Sequence, residues 1–221
     1  MAVLLELLVP HRCVGCGRPA DVLCDVCRGT LRPLGTPRCA LCGAPTAWPV
    51  ERCRECDGRR LAFDEARSAF VYAGAARALV AAWKEGGLRQ LAAHAAELAS
   101  GVLDIPDADA VVAVPPDDDR LLRRGHHPPG RLARELARRW DLEHVQLLGR
   151  TRLAPRQASL PREERRRNVR RLFTTERRPP RRVVLVDDVY TTGATVGAAA
   201  AALKAAGAER VQVVTFARAV R

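Results

Sequence analysis

The 221-residue sequence predicts an α/β domain built on a largely parallel sheet, preceded by a small cysteine-bound module. Three observations predict it. All eight cysteines lie before residue 57, in four C-x-x-C pairs. From residue 61 onward, apolar runs of strand length alternate with stretches of helical spacing, the pattern of strands buried on both faces and joined by helical crossovers. Near the end, VVLVDDVYTTGAT at residues 183–195 passes from apolar to acidic to hydroxyl-rich within one strand-to-helix transition.

The first module follows from the cysteine pairs, Cys13/Cys16, Cys24/Cys27, Cys39/Cys42 and Cys53/Cys56. A C-x-x-C turn points two thiolates at one ion, and two such knuckles complete the tetrahedron that zinc prefers. CVGCGRPADVLCDVC and CALCGAPTAWPVERCREC repeat the same design, C-x-x-C-G, a proline two residues on and a closing C-x-x-C. Each unit reads as one zinc ribbon, so residues 1–60 form a double zinc ribbon with two structural Zn²⁺ ions. Pairing first with second and third with fourth is the simplest arrangement, and a cross-braced one is the alternative. Disulfides and a redox C-x-x-C are weaker readings, since regular spacing in reduced thiols suits metal. So small a module has little core, which leaves zinc to supply much of its folding free energy. A chelator is therefore expected to unfold residues 1–60 and spare the later domain. The opening segment AVLLELLVP stops at Pro10, has no basic leader and is too short for a membrane span. It is expected to form a short docking helix in a cytoplasmic protein.

Charge is informative by position. The chain carries 37 Lys+Arg against 25 Asp+Glu, a net +12, yet Lys84 and Lys204 are its only lysines. Thirteen arginines and three glutamates fall between residues 150 and 182, so that segment carries +10 of the +12. A polyanion is one partner such a segment fits; aromatic interleaving is weak, with Phe173 alone beside the run.

The second unit, residues 61–221, begins with a strand at 66–72, a helix from 75 to 83, a break at Gly86-Gly87 and a helix through residue 99. VVAV at 111–114 is a short buried strand stopped by Pro115-Pro116. RLARELARRW has helical spacing, with Leu132, Leu136 and Trp140 on one side. VQLL at 145–148 reads as another strand, and VVLVD and VQVVTF flank a helix from 194 to 206 that stops at Gly207. Asp187 and Asp188 then sit at the carboxyl end of a central strand, where ligands bind in open α/β sheets. The following helix start offers unpaired amides to an anion, Gly193 permits close approach, and Thr191, Thr192 and Thr195 add hydroxyl donors. Two carboxylates there can accept hydrogen bonds from adjacent hydroxyls, as on a ribose, while the loop holds a phosphate of the same molecule. The plainer reading is a helix cap at Asp187 and threonines filling a turn. No lysine follows the glycine, so this is not a Walker loop.

The string VVLVDDVYTTGAT resembles the phosphoribosyl pyrophosphate (PRPP) signature of type I phosphoribosyltransferases. The chain as a whole is similar to the ComF family, on its cysteine pairs, LVAAWKEGG, VVAVPP, the RRG ending at Gly125, GRTRLAPRQASL, ERRRN and AAGAERVQVVT. The resemblance implies a type I phosphoribosyltransferase-like domain after the ribbons. It implies PRPP binding by Asp187, Asp188, Tyr190, Thr191, Thr192, Gly193, Ala194 and Thr195. It places the pyrophosphate loop at Pro115, Pro116 and Asp117, where carboxylates act through Mg²⁺ or form a solvated acidic turn. It puts the flexible closing loop in the Arg-rich segment, with Arg156 and Gln157, and assigns catalytic positions to Lys84, Arg124 and Arg152. The family continues Arg-Gly with an aromatic residue, Asn and Gln, whereas this chain reads RGHHPPG. His126 and His127, in a Pro/Gly loop, are expected to face solvent.

These features imply a ComF-like competence protein that binds PRPP and Mg²⁺ and acts in DNA uptake or single-stranded DNA handling, with a competence helicase as a further partner. Phosphoribosyl transfer, in which a nitrogen nucleophile attacks C1 of the ribose and pyrophosphate leaves, is the chemistry such a site can perform. The alternatives are a salvage or biosynthetic phosphoribosyltransferase and a binding protein for which PRPP is a regulatory ligand. The ribbon module counts against the salvage enzyme, and no residue singles out an acceptor substrate.

Overall fold

The structure, a computed structural model, describes residues 12–151 and 172–220. The segment expected to form a helix before Pro10, together with Arg152, Arg156, Gln157 and the arginines at 162–171, lies outside them. In chain order the elements are α1 (Asp25–Gly29), β1 (Glu65–Val71), α2 (Gly74–Glu85), α3 (Leu91–Ser100), β2 (Ala110–Ala113), α4 (Asp118–Arg124), α5 (Pro128–Trp140), β3 (Glu143–His144), β4 (Leu148–Arg150), β5 (Phe173–Thr175), β6 (Arg182–Tyr190), α6 (Ala194–Ala205) and β7 (Arg210–Arg218).

Five strands form one sheet in the order β1-β7-β6-β2-β3, and every pair in it is parallel. Strand side chains alternate between faces, and β6 shows why its apolar run must be continuous. Val184 and Val186 enter one apolar cluster with α2, α3 and α5, while Val183 and Leu185 enter another with α6. In α3 the buried positions include Ala92, Ala95, Ala96 and Ala99, small side chains that let the helix lie close to its neighbours. Helix α5 opens on Pro128, whose fixed φ suits a first turn, and buries Leu132, Leu136 and Trp140 as their spacing predicts.

The cysteine units straddle the β1 edge of this sheet. Cys13, Val22 and Leu23 pack with α2 and α3 on one face. Cys39, Cys42, Ala44 and Cys56 join the cluster that contains α6 on the other. Between the units the chain hydrogen-bonds to the edge strand, from Leu34 N to Ala69 O and from Val71 N to Arg32 O, each at 2.9 Å. That pairing covers backbone groups an open edge would leave exposed.

Three sequence expectations change. β6 does not end at the acidic pair but continues through it to Tyr190, because β7 pairs with it over that whole length. VQLL is not a strand. The chain leaves β2 after the two residues of β3, and Leu148–Arg150 turns away to pair antiparallel with Phe173–Thr175. That two-stranded ribbon was not anticipated at all. Among the described residues, no helix is long and apolar enough to cross a membrane.

Candidate functional site

Each pair of C-x-x-C knuckles converges on one point. Cys13, Cys16, Cys24 and Cys27 form one group and Cys39, Cys42, Cys53 and Cys56 a second, with the Sγ atoms of each within 4.8 Å of one another. First pairs with second and third with fourth, so the arrangement is not cross-braced. A tetrahedron with Zn–S bonds of about 2.3 Å has edges of about 3.8 Å. The observed Sγ–Sγ separations of 3.7 Å (Cys16–Cys24), 3.7 Å (Cys39–Cys56), 3.5 Å (Cys42–Cys53) and 3.9 Å (Cys53–Cys56) fit it. The turn in each repeat is the same: Gly17 N bonds Cys13 O at 2.8 Å and Gly43 N bonds Cys39 O at 3.0 Å. Both glycines have positive φ, 74° and 68°. Gly43 has a second constraint, because a Cβ there would strike the carbonyl oxygen of Ala66 in β1.

The thiols of each group are unequal. Burial opposes ionisation of Cys13, but the amides of Cys24, Cys16 and Gly15 outweigh it and draw the thiol down to about 6. Cys39 is likewise buried and likewise drawn down, to about 7, by the amides of Cys42 and Cys53. In the first group, hydrogen bonding to Cys13 and burial push Cys27 up to about 12. In the second, burial pushes Cys42 and Cys56 up. One thiolate per group forms readily, and a divalent cation is what the others need in order to ionise.

The acidic pair lies near the carboxyl end of β6. Asp188 is 7% exposed and receives the Lys84 ammonium at 2.6 Å, from the last turn of α2. Asp187 is half-buried and accepts the amide of Asp188 at 2.9 Å. Burial and the neighbouring Asp188 carboxylate push the Asp187 carboxyl up to about 7, against the pull of Lys84 and Arg150. Three residues past the end of β6, Gly193 caps α6 with φ 73° and ψ 6°. Thr191, Thr192, Ala194 and Thr195 are exposed while Gly193 is buried, so the hydroxyls and the first helical turn face solvent. Thr192 Oγ1 accepts the Ala194 amide at 3.4 Å. Gly193 is buried because the Tyr190 ring lies against it, and a Cβ there would fall 2.6 Å from Tyr190 Cζ.

The β2 loop stands beside these groups, because Ala113 pairs with Val186 and Val114 N donates to Val186 O at 2.9 Å. Pro115 and Pro116 are half-buried, and Asp117 precedes α4 and meets the Arg150 guanidinium at 3.5 Å. The structure thus brings together Lys84, Asp187, Asp188, residues 115–117 and residues 191–195. Arg124 makes its ion pair with Glu85, the residue after Lys84.

His126 and His127 do not face solvent. His126 is 5% exposed, with Nδ1 2.9 Å from Arg124 O and Nε2 2.9 Å from Trp83 O. His127 lies 2.8 Å by Nε2 from Val114 O, and a carbonyl only accepts, so Nε2–H donates. Burial holds the His127 imidazole below the usual histidine range. The Pro/Gly composition of the loop suggested exposure, but Gly125 at φ 63° turns the chain inward at the end of α4. Sequence reasoning also missed Arg150 and the buried Arg218. A signal for Arg218 was present, since a lone charge closing an apolar strand needs a buried partner.

A parallel α/β sheet with an acidic pair beside an open helix start, joined to two cysteine tetrads, defines the class as a phosphoribosyltransferase-type domain with zinc ribbons. A family model described as a double zinc ribbon domain matches residues 4–57, and one described as a phosphoribosyl transferase domain matches residues 122–220. Together these give the chain the architecture of the ComF-like family. Among curated proteins, none matches the chain.

Proposed function

We propose that the protein binds magnesium-PRPP at the carboxyl end of β6 and uses it in single-stranded DNA handling during DNA uptake. The observation that carries the reading is the adjacency of the Asp187–Asp188 pair to the exposed start of α6 at Gly193. A ribose 5-phosphate offers two neighbouring hydroxyl donors and, two carbons on, an anion, and this surface offers acceptors and amides in the same order. The pyrophosphate would lie toward residues 115–117, with Lys84 close enough to the acidic pair to exchange its Asp188 partner for a phosphate oxygen. Mg²⁺ arrives with the ligand and offsets the pyrophosphate charge. Arg152, Arg156 and Gln157 are proposed to close over the ligand and exclude water from C1.

Residues 1–60 and 61–221 are the two units in this reading, and the tetrads point to a reducing compartment, the cytoplasm. The surplus arginines at 165–167, 170 and 171 exceed what one phosphorylated sugar can engage and suit a nucleic-acid backbone, with a competence helicase as a protein partner. Transfer to a nitrogen nucleophile with loss of pyrophosphate is the reaction the site can support.

Calorimetric titration with magnesium-PRPP tests the site. Wild type should bind, and Asp187→Ala/Asp188→Ala should lose binding while still unfolding in a cooperative melting transition. Unchanged affinity in the double variant removes the assignment. Single-stranded DNA binding at graded salt tests the second half: each phosphate contact adds about 0.7 to the log–log slope, so neutralising residues 165–167 should flatten it by about two units.

A further inference from the structure

Arg218, the last residue of β7, is 1% exposed, and a buried guanidinium is tolerated only where its charge and donors are met. Its partners come from both knuckles of the second cysteine tetrad. Nη1 donates to Cys42 O at 2.7 Å, and Nη2 lies 3.7 Å from Cys42 Sγ and 2.6 Å from Glu55 Oε2, between Cys53 and Cys56. Nε has no hydrogen-bond partner among the described residues. The remaining contact is with Tyr190, whose ring centroid lies 4.3 Å from the Arg218 Cζ, a distance at which a cation is held by the ring face. Phe63 braces the same ring edge-on, with centroids 6.3 Å apart. The hydroxyl end of the Tyr190 ring lies against Gly193, where any Cβ would collide with it.

We propose that Arg218 and Tyr190 are positioning residues linking the second tetrad to the 191–195 loop, so that metal in the tetrad and PRPP on the loop stabilise one another. The inference rests on the PRPP reading above. A zinc ion held by four thiolates carries a net double negative charge, which a neighbouring buried cation complements. With the metal in place, Cys42 O and Glu55 are held together and fix the guanidinium. The guanidinium then fixes the Tyr190 ring, and the ring fixes the backbone at Gly193 from which the amides of α6 project. Without metal the four thiolates no longer converge on one ion and the two knuckles are free to shift against one another, so Arg218 loses partners on both and the ring loses its support. The first tetrad packs instead against α2 and α3 on the opposite face of the sheet. Coupling of this kind is reciprocal.

The test is a challenge of the full chain with a zinc-selective chelator in excess magnesium, trapping freed thiols by alkylation and assigning them by peptide mass spectrometry, with and without PRPP. PRPP should slow alkylation of Cys39, Cys42, Cys53 and Cys56 by about fivefold or more and leave Cys13, Cys16, Cys24 and Cys27 unchanged. Arg218→Lys keeps the charge but loses the fork and the stacking plane, so it should abolish the selective protection and weaken PRPP binding by a similar factor. Equal protection of both tetrads would mark general stabilisation by ligand and overturn the inference, as would protection of neither in a protein that binds PRPP by calorimetry. Arg218→Lys with wild-type PRPP affinity also overturns it. A wild type that shows no PRPP binding overturns the underlying reading of the site and the coupling with it.

Discussion

The Lys84 ammonium and the Asp188 carboxylate, 104 residues apart in sequence, meet at 2.6 Å with side chains 23% and 10% exposed. The pair ties the end of α2 to the carboxyl end of β6 and neutralises one of two adjacent acids. Lys84→Met leaves Asp188 unpaired beside Asp187 and should cost about 1–3 kcal/mol in denaturant unfolding. Asp188→Asn should recover part of that loss in the Met background, because the carboxylate left without a partner is then gone. A double-mutant cycle checks this, and a coupling energy near zero would show the pair to be incidental.

Asp187 should make both stability and ligand binding depend on pH. Its folded-state carboxyl is pushed up to about 7 by burial and by Asp188, well above an ordinary aspartate. A raised value means that the folded state holds the proton more tightly, so the associated stability is present at low pH and lost as pH rises through about 7. Hydroxyl donors on a ribose favour the ionised form, so PRPP affinity should move the other way and improve as pH rises through the same window. Asp187→Asn should remove this residue's contribution to both slopes, and thermal melts and titrations between pH 5.5 and about 8 resolve them. A variant with the wild-type pH dependence in both would place the titration elsewhere.

The two histidines yield different expectations because they hold different backbone groups. His126 lies between Trp83 O and Arg124 O in a buried position, so His126→Ala removes a donor from this pair of carbonyls and opens a void. A loss of about 2–4 kcal/mol is expected. His127 holds Val114 O at the entry to residues 115–117. His127→Ala should cost less stability, about 1 kcal/mol, and weaken PRPP through the β2 loop. Asn at 127 can donate to the same carbonyl, so partial rescue by His127→Asn separates positioning from simple loss of packing.

The two cysteine units and the strand-acid-loop string were legible because their information is local. A C-x-x-C knuckle is complete within a few residues, and β6 with the start of α6 is one continuous segment. What the sequence did not show depends on partners far along the chain. β6 runs on to Tyr190 only because β7 pairs with it to Arg218. Leu148–Arg150 becomes a strand only because Phe173–Thr175 lies beside it. The histidines were misplaced for the same reason, since their composition suggests a loop while the acceptors that draw them inward are Trp83 O and Val114 O. Arg218 follows the pattern, with its partners Cys42 and Glu55 in the other unit.

Zinc removal should therefore reach further than the cysteine units. A module tethered by a linker would unfold alone and spare the sheet, as its small size suggests. Here Cys13, Val22 and Leu23 are packed in the same cluster as Leu79, Trp83 and Ala96. Cys39, Cys42 and Ala44 are packed with Phe63, Val196 and Leu203. Losing the metal opens both faces of the sheet near β1 and strips partners from the buried Arg218. Each 1 kcal/mol lost shifts the midpoint of a domain this size by about 2–4 °C, so a loss of even about 3 kcal/mol lowers it by roughly 6–12 °C. Chelation of the full chain should lower the melting midpoint of the sheet by at least that much and expose apolar surface to a hydrophobic dye. Retention of the sheet's melting midpoint after complete zinc release would show that the ribbons contribute nothing to the later unit's stability.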